Sequence, residues 1–425
     1  MKILIKNGLV ISMDSKKDMY TYEDVLIEDN LIKYVCNDYN GEYDKLIDAS
    51  GKIVMPGLIN CHTHLGMSLF RATNDDYSLN EWLEKYIWPI EDKMTDDDMY
   101  YSTLLSLVEM IKTGTTCFND MYFNWKGSLR ALDKIKVRGI YTRCLMGDMD
   151  DGGIRRIDEF KELYNYNKNE LIKLSIAPHA LYTTSLDYLY ECNRLANEYK
   201  LPIHIHLSEN EKEVSDVCEK FNMLPIEVMD KVGFLDKKVI LAHGTFINDK
   251  ELSMIRGKDV SICTNPVSNL NLGCGIANIK KYKDNEINIC LGTDGAGSGN
   301  NLNLFYHMSL LDNLQKGLYK DSTVMNSYEV LKIATINGAK ALGLDNEIGS
   351  IEVGKKADII IVNLNDIEMF PCINPIIQIV HNGWYNSVDS VIINGNILVN
   401  NKKLNIDIDL DDLRNKILDI RNRLM

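Results

Sequence analysis

The chain has 425 residues, 45% of them hydrophobic, and a formal net charge of −14. This length accommodates one large core of roughly 250 to 300 residues plus a smaller unit. Because the balance is acidic and no stretch concentrates Lys or Arg, nucleic acid and anionic membranes are poor partners, and a small molecule is favoured. Apolar runs such as residues 359–362 are too short to span a bilayer, so we expect a soluble, cytoplasmic protein.

The two ends of the chain share one sequence pattern. Residues 1–57 contain short apolar stretches bounded by Asn, Asp or Gly, which indicates strands and turns. The pattern returns late in the chain, where INGN at 393–396 separates two β-branched runs as in a hairpin. We therefore predict that residues 1–57 and 348–425 form one small composite β-sandwich, the second segment adding a terminal helix.

Residues 58–347 alternate apolar strands with helical stretches whose apolar residues recur at i, i+3, i+4 and i+7. Eight such strand–helix units predict an α/β fold, a (β/α)8 TIM barrel closed by a helix from about Ser327 to Leu342. The eight strand candidates are VMPGLINCHTH, TTCFND, GIYTRCL, IKLSIAPHA, PIHIHLSE, KVILAHGT, VSICTNP and NICLGTDG.

Six of the eight histidines fall within or just after these strands. In a TIM barrel, catalytic groups come from the C-terminal ends of the strands. His62 and His64 are two residues apart, so both side chains point into the barrel, where two imidazoles can share one ion. A lone His-x-His is a weak signal, since it fits two unrelated polar residues equally well.

His204 and His206 repeat this spacing on the fifth strand. We assign His206 as the ligand because it lies nearer the barrel mouth, which leaves His204 as a deeper, hydrogen-bonded histidine. Asp294 follows the eighth strand and precedes a Gly/Asn-rich loop, although a turn-forming aspartate also fits this position. His62, His64, His206 and Asp294 are thus the predicted ligands of one divalent ion; Zn²⁺ suits them best, and Fe²⁺ or Mn²⁺ stay open.

Two further residues are candidates for proton transfer. Glu209 lies beyond the fifth strand, where it can act as general base and then general acid, or can be a solvated loop glutamate. His243 in LAHG is a further ligand, a satisfied core histidine, or a neutral base and hydrogen-bond donor beside a metal-bound water. We favour the last of these roles.

The motifs PGLINCHTH, HIHLSE, LAHG, LGTDG and GSIEVGKKADIIIV occur in one order along the chain. In this order they resemble the amidohydrolase superfamily over essentially the whole length. Members with two metals need a carboxylated lysine or a glutamate at the end of strand four, where this sequence has APHA, with Lys173 back at the strand's start. The resemblance therefore implies a one-metal, deaminase-like site in which His243 and Asp294 shuttle protons.

Within that superfamily, stretches such as SLNEWLEKYIWPIED, NDMYF and TRCLMGDMDDGGIRR look like the 5-methylthioadenosine/S-adenosylhomocysteine deaminases. The resemblance implies that Glu91 holds the ribose hydroxyls, that Trp82 forms an apolar wall and that His179 contacts the ribose or the ring. A carboxylate suits a diol because it accepts two hydrogen bonds. From residue types alone, Glu91 is equally a charge on a helix face.

The same resemblance assigns two arginines to the amino-acid carboxylate of S-adenosylhomocysteine. They are Arg143 and Arg155, and planar guanidinium groups suit bidentate pairing with a carboxylate. Arg156 is adjacent and Ile154 makes the register ambiguous, so the choice between Arg155 and Arg156 stays open. Arg143 also fits a structural pair with an acidic residue.

The expected reaction is hydrolytic deamination of the adenine ring. A bound ion lowers the pKa of water from about 15.7 toward 7, Glu209 protonates ring N1 during attack at C6, and ammonia leaves to give the inosine analogue. The expected substrates are 5′-methylthioadenosine and S-adenosylhomocysteine, with adenosine and 5′-deoxyadenosine open. The alternatives are another one-metal amidohydrolase acting on guanine, a pterin or a triazine, and a non-catalytic scaffold. The sequence leaves a homo-oligomer open.

Overall fold

The computed structural model describes residues 1–17, 19–73 and 76–425. Contacts divide the chain into two compact units. The first comprises residues 1–60, 108–118 and 303–407, and the second 61–107, 119–302 and 408–425. The domain boundaries at 57/58 and 347/348, which rest on the sequence pattern, stay a prediction. Among the described helices, none combines the length and apolarity that crossing a membrane requires.

Strands β1 to β5 open the chain and are followed by the eight barrel strands, whose side chains are almost all buried. The opening strands are β1 Lys2–Val10, β2 Thr21–Glu28, β3 Leu31–Cys36, β4 Lys45–Asp48 and β5 Lys52–Pro56. The barrel strands are β6 Leu58–Thr63, β7 Thr115–Asp120, β8 Arg138–Tyr141, β9 Ile172–Leu174, β10 Ile203–Leu207, β11 Val239–His243, β12 Val260–Thr264 and β13 Asn288–Leu291.

Helices follow the barrel strands. They are α1 Leu79–Trp82, α2 Trp88–Glu91, α3 Asp96–Lys112, α4 Trp125–Lys134, α5 Asp151–Tyr166, α6 Leu186–Tyr199, α7 Glu211–Phe221, α8 Pro225–Lys231, α9 Asp249–Ile255, α10 Pro266–Asn271, α11 Ile279–Asp284, α12 Ala296–Gly299, α13 Leu304–Tyr319, α14 Ser327–Ile333 and α15 Ile336–Leu342. A 3-10 turn covers Leu65–Phe70, and a π-helical turn at Leu83–Ile87 joins α1 to α2.

The remaining elements close the first unit's sheet and end the chain. They are β14 Ile359–Asn363, α16 Pro375–Asn382, β15 Val388–Ile393, β16 Asn396–Asn400, β17 Lys403–Leu404 and α17 Leu410–Leu424. The nine-stranded sheet has the order β17-β16-β15-β14-β5-β1-β2-β3, with β4 paired to β1. Its buried positions are rich in Ile and Val, which pack well on a pleated surface. The prediction that both chain ends build one β unit is confirmed.

The barrel strands form two four-stranded sheets, ordered β6-β7-β8-β9 and β10-β11-β12-β13. Bridges from Ile176 to Ile203 and from Ala180 to His206 join the two sheets on one side. On the other side, the backbone amides of Thr293 and Asp294 donate to the carbonyl of His62 at 3.1 and 3.0 Å. The predicted (β/α)8 barrel is confirmed, and its closure brings the eighth strand end directly beside the first.

The single helix predicted at 327–342 is two helices, α14 and α15. The chain breaks at Thr335, where φ is −131° and ψ is −96°, and the carbonyl of Ala334 accepts a hydrogen bond from the amide of Ile59 at 2.9 Å. Apolar periodicity continues across the break, so the sequence pattern gives no sign of it.

Gly57 separates β5 from β6 at a close approach of two strands. A Cβ at this position would lie 2.0 Å from Oγ1 of Thr116. We expect Gly57→Ala to lower the free energy of unfolding by about 1–3 kcal/mol because an overpacked site must shift. Gly317→Ala in α13 is the matched control: no atom lies within 4 Å of its Cβ, so improved helix propensity should stabilise by about 1 kcal/mol. Equal denaturant midpoints for the two variants would contradict this.

Candidate metal centre and active site

Two of the predicted ligands have their tautomers fixed by backbone carbonyls. Nδ1 of His64 lies 2.6 Å from the carbonyl of Met121, and Nδ1 of His206 lies 2.7 Å from that of His179. A carbonyl only accepts, so each Nδ1 carries the proton and each Nε2 keeps its lone pair. The two Nε2 atoms lie 3.2 Å apart, which leaves two lone pairs facing each other across a gap that suits a cation or a proton.

His62 presents its Nε2 to the same place. Its Nδ1 lies 2.9 Å from Nε2 of His204, while its own Nε2 is buried and has no hydrogen-bond partner among the described residues. His204 is fully buried and contacts His62 from below, whereas His206 faces His64. Of the two fifth-strand histidines, His206 thus reaches the centre of the cluster and His204 supports it.

Asp294 supplies a carboxylate oxygen to the cluster. Its Oδ1 lies 3.1 Å from Nε2 of His64 and 3.4 Å from Nε2 of His62. Its Oδ2 accepts from the hydroxyls of Ser268 and Ser298 at 2.6 and 2.7 Å. Although burial alone would raise the pKa of Asp294, its contacts with the two histidines hold this pKa well below the usual range. The carboxylate is therefore anionic and aims one oxygen at the imidazoles.

These side chains fit a divalent metal ion. Ligand atoms of His62, His64 and Asp294, and of His62, His206 and His243, lie within 4.8 Å of one another. Burial lowers the pKa of His62 to about 3, so it stays neutral, as a ligand must. Burial also opposes charge on His64, but the Asp294 carboxylate outweighs it and raises the pKa of His64 to about 9; a proton thus occupies the place that a cation would take.

Glu209 and His243 lie next to this cluster. Glu209 follows β10 by two residues, yet it is only 6% exposed, so it is no solvated loop residue. Its Oε1 lies 3.6 Å from Nδ1 of His243, which also lies 2.8 Å from Oδ1 of Asn269. The nearest neighbour of this Nδ1 is the Asn269 oxygen, an acceptor, while Nδ2 of Asn265 lies further away at 3.3 Å. We therefore assign the proton to Nδ1, which leaves Nε2 able to accept. Burial raises the pKa of Glu209, which suits a group that must both hold and release a proton.

Backbone conformation helps to aim these side chains. Ser208, His243 and Asp294 all adopt positive φ angles of 52°, 72° and 60°. Non-glycine residues rarely adopt this left-handed conformation, and such strain concentrates at functional sites. Each of the three follows or ends a barrel strand, so the chain turns sharply where it delivers a polar group.

The cluster opens into a cavity with two kinds of wall. One wall is apolar and includes the indole ring of Trp82, a residue that is 2% exposed. The apolar lining residues are Met67, Leu79, Trp82, Leu83 and Leu272. The polar lining residues include His64, His179, His206, Glu209, His243, Asp294 and Ser298. Such a cavity suits a flat heteroaromatic ring whose polar edge faces the metal site.

The predicted ribose contacts Glu91 and His179 lie in the same unit. Glu91 accepts a hydrogen bond from the hydroxyl of Tyr122, and burial raises its pKa to about 7. Nδ1 of His179 lies 3.0 Å from the hydroxyl of Thr183, which itself donates to the carbonyl of Ala180. The Thr183 oxygen therefore accepts from His179, whose Nε2 keeps its lone pair.

The two predicted arginines are placed differently. Arg143 is 6% exposed and donates to Glu159 at 2.7 Å and to the carbonyl of Cys144 at 2.6 Å. The Arg155 side chain is 69% exposed and pairs with Glu159 at 3.8 Å. Arg156 is partly buried, with Nη1 3.3 Å from the carbonyl of Met146. Among the described residues that line the cavity there is none of the three arginines, nor Glu91.

Sequence reasoning missed several supporting residues. Tyr122, Ser268, Asn269 and Ser298 lie in NDMYF, NPVSNL and GAGSGNN, directly after strand ends. Their positions after barrel strands were the available signal, but neutral hydroxyls and amides in loops are common and do not stand out. Lys173 on β9 is exposed at the strand's start, far along the strand from the mouth.

A model of the Amidohydrolase family matches residues 53–398. The chain belongs to this family. It is 40% identical over 409 residues to a 5′-deoxyadenosine deaminase of Methanosphaera stadtmanae, covering 95% of this chain and 94% of the relative. It is also 40% identical over 410 residues to a 5-methylthioadenosine/S-adenosylhomocysteine deaminase of Thermoanaerobacter pseudethanolicus, covering 95% of both chains.

Among solved structures of the amidohydrolase fold, one neighbour is an adenosine deaminase from Xanthomonas campestris with bound zinc. Its TM-score is 0.93 at 28% sequence identity, and the match covers 99% of this chain and 98% of the neighbour. The three matches span nearly the whole chain, so the resemblance read from the motifs is confirmed. The predicted need for a divalent metal is supported by the same neighbour and by the His/Asp cluster.

His204 should control how tightly this amidohydrolase holds its ion. Its Nε2 lies 2.9 Å from Nδ1 of His62, so it would accept the Nδ1 proton of a His62 that binds an ion through Nε2. Such supporting contacts keep a ligand in the correct tautomer. We expect His204→Leu to weaken Zn²⁺ binding by about 10–100-fold, measured by competition with a chromogenic chelator. His204→Gln keeps an acceptor and should lose less. Unchanged affinity in the leucine variant would contradict the supporting role.

Proposed function

We propose that this amidohydrolase removes the amino group of the adenine ring in adenosine derivatives by hydrolysis. Its substrates would be 5′-methylthioadenosine and S-adenosylhomocysteine, with adenosine and 5′-deoxyadenosine as further candidates, and its products the inosine analogue and ammonia. The observation that carries the proposal is the buried His/Asp cluster with Glu209 beside it, facing an apolar wall across one cavity. Relatives at 40% identity that are named adenosine-derivative deaminases support it.

We assign His62, His64, His206 and Asp294 as the ligands of one ion, with Zn²⁺ preferred. Imidazole nitrogens and one carboxylate are borderline ligands that suit zinc, and the solved neighbour contains zinc. When bound, the ion supplies Lewis-acid activation of water at neutral pH. We assign His243 outside the ligand set, since its free Nε2 can hold the nucleophilic water by accepting a hydrogen bond.

The proton transfers fall to Glu209, His243 and Asp294. Glu209 takes a proton from water and delivers it to ring N1 while a C6–O bond forms. His243 and Asp294 orient the water, accept its second proton from the hydroxyl formed at C6, and pass that proton to the amino nitrogen. The C6–N bond then breaks and ammonia leaves. Because burial raises the pKa of Glu209, its carboxyl group holds a proton more readily than a solvated glutamate does, which suits delivery to N1.

The substrate would lie with its ring against Trp82. The Trp82 Nε1–H is buried and lacks a hydrogen-bond partner among the described residues, so a ring nitrogen of the purine can accept from it. Nε2 of His179 is an acceptor that suits a sugar hydroxyl. The carboxylate of Glu91 accepts from the two ribose hydroxyls, which is the contact that would separate ribosides from free bases.

For substrates that carry an amino-acid group, we propose Arg143 and Arg156 as the carboxylate-binding pair. Arg155 fits less well than its neighbour because it lies on the exposed side of α5. Arg156 lies one position further along the same helix, and its guanidinium group reaches inward to Met146. This orientation supports Arg156 rather than Arg155 as the second member of the pair.

The proposal is tested by ammonia release from a panel of 5′-methylthioadenosine, S-adenosylhomocysteine, 5′-deoxyadenosine, adenosine and guanine. We expect turnover of adenosine derivatives and none of guanine. Glu209→Gln should lower kcat by about 10²–10⁴-fold, the contribution of a positioned acid and base. It should leave metal content unchanged because Glu209 is outside the ligand set.

The matched control is Glu211→Gln, which makes the same change two residues further on at an exposed position. It should retain full activity. A protein that turns over no adenosine derivative would exclude the proposed reaction, and equal activity of the two glutamine variants would exclude the role of Glu209.

Recognition of the ribose should depend on pH through Glu91. Burial raises the pKa of this carboxyl to about 7, so it is charged above that pH and becomes neutral as pH falls through it. A neutral carboxyl accepts the diol poorly. We expect KM for adenosine to rise about tenfold between pH 8 and pH 6, and KM for 2′,3′-dideoxyadenosine to change much less. A KM ratio that is constant over this range would contradict the assignment.

A further inference from the structure

Three consecutive residues at the end of β7 make contacts with three parts of the proposed site. Oδ1 of Asp120 accepts from the backbone amide of Leu65 at 2.6 Å, and thereby holds the chain just after the histidine pair. The carbonyl of Met121 accepts from Nδ1 of His64 at 2.6 Å. The next residue, Tyr122, donates to Glu91, the side chain to which we assign binding of the ribose.

Tyr122 is held firmly. Its backbone amide and carbonyl pair with the strand that follows, through Thr142 at 3.4 Å and Cys144 at 2.8 Å. Its ring is 2% exposed and lies so close to Gly66 that a Cβ there would meet ring carbon Cε1 at 2.2 Å. The hydroxyl donates to Oε1 of Glu91. Backbone hydrogen bonds just beyond the ends of β7 and β8 therefore fix one end of this contact.

The other end of the contact lies on less regular backbone. Glu91 is the last residue of a helical stretch that runs without a gap from Leu79 through α1, the π-helical turn and α2. A helical stretch of about 13 residues is only marginally stable from its own hydrogen bonds, and this one also contains a π-helical turn. A side chain at its end therefore needs outside contacts to hold one position. The Tyr122 hydroxyl is a described contact of this kind for the Glu91 carboxylate.

We propose that Tyr122 is a positioning residue that determines riboside specificity, because it fixes the Glu91 carboxylate relative to His64 and the reacting end of the cavity. The inference rests on the proposed function, in which Glu91 binds the ribose diol. A carboxylate has about four acceptor positions; Tyr122 uses one of them, and the remaining positions serve the two hydroxyls. Holding the acceptor in place before binding lowers the entropy lost when the diol docks.

The chemistry of the pair agrees with this role. Burial and the neighbouring Glu91 carboxylate raise the pKa of Tyr122 well above its ordinary value, so the phenol keeps its proton and remains the donor. The hydrogen bond in turn opposes the effect of burial on the pKa of Glu91. Tyr122 thereby favours the charged carboxylate, which is the form that accepts two hydroxyl groups.

The test compares adenosine with 2′,3′-dideoxyadenosine in the metal-loaded protein. We expect Tyr122→Phe to lower kcat/KM for adenosine by about tenfold, mainly through KM, as for loss of a hydrogen bond to a charged group. The value for the dideoxy substrate, which has no diol, should change less than about twofold. In a Glu91→Gln background the same substitution should have little further effect on adenosine.

The control is Tyr188→Phe, which removes another buried hydroxyl, one that donates to the carbonyl of Gly153 at 3.0 Å. It should not alter the ratio of the two substrates. If Tyr122→Phe lowers both substrates equally, Tyr122 is merely structural and the inference is wrong. Should the phenylalanine variant be isolated unfolded, Tyr122→Met repeats the comparison.

The ribose contact of Glu91 and the positioning role of Tyr122 can be overturned separately. If Glu91→Gln leaves the adenosine to dideoxyadenosine ratio unchanged, Glu91 does not bind the ribose and the proposed function loses that contact. If Glu91→Gln lowers the ratio and Tyr122→Phe does not, only the positioning role of Tyr122 is overturned.

Discussion

Several lone pairs and one carboxylate oxygen converge on a single point, and the rest of the site depends on this convergence. Carbonyl groups fix the Nδ1 protons of His64 and His206, so their Nε2 lone pairs face each other at 3.2 Å. Buried acceptors that face one another are destabilising unless a cation or a proton lies between them. Other contacts must therefore hold these histidine and aspartate side chains in place, and the barrel strands and the loops after them supply those contacts.

Backbone hydrogen bonds and neighbouring side chains both hold the cluster in place. Barrel closure brings Asp294 to His62 through backbone hydrogen bonds, and the hydroxyls of Ser268 and Ser298 hold the second carboxylate oxygen. Oδ1 of Asn269, next to Ser268 in the short helix α10, lies 2.8 Å from Nδ1 of His243. The short helix α10 thus contacts both Asp294, which we assign as a ligand, and His243, which we assign to proton transfer.

Sequence reasoning predicted the parts of the molecule that follow from strong periodicity. The eight barrel strands, the β unit of the two chain ends and the convergence of His62, His64, His206 and Asp294 were all predictable, because strand ends of a barrel meet on one face. Weaker signals failed for physical reasons. The break between α14 and α15 comes from a tertiary hydrogen bond of Ala334, which no local pattern encodes.

The substrate contacts show the same division. Arg155 and Arg156 are neighbours in sequence, and only the orientation of α5 decides which one turns inward. Tyr122 lies in the stretch NDMYF, but its hydroxyl donates to Glu91, 31 positions away along the chain. Its role therefore cannot be predicted from that stretch alone. Charged residues at strand ends can be predicted from sequence, whereas the neutral residues that hold them can be recognised only in three dimensions.

The central claim is that one ion at this cluster supports hydrolysis. Metal-depleted protein should be titrated with Zn²⁺ while ammonia release from an adenosine derivative is followed and bound zinc is counted. The account predicts no activity without metal and a linear rise to a plateau at one zinc per chain. Full activity in the metal-free protein, or a plateau that needs two zinc ions per chain, would contradict it.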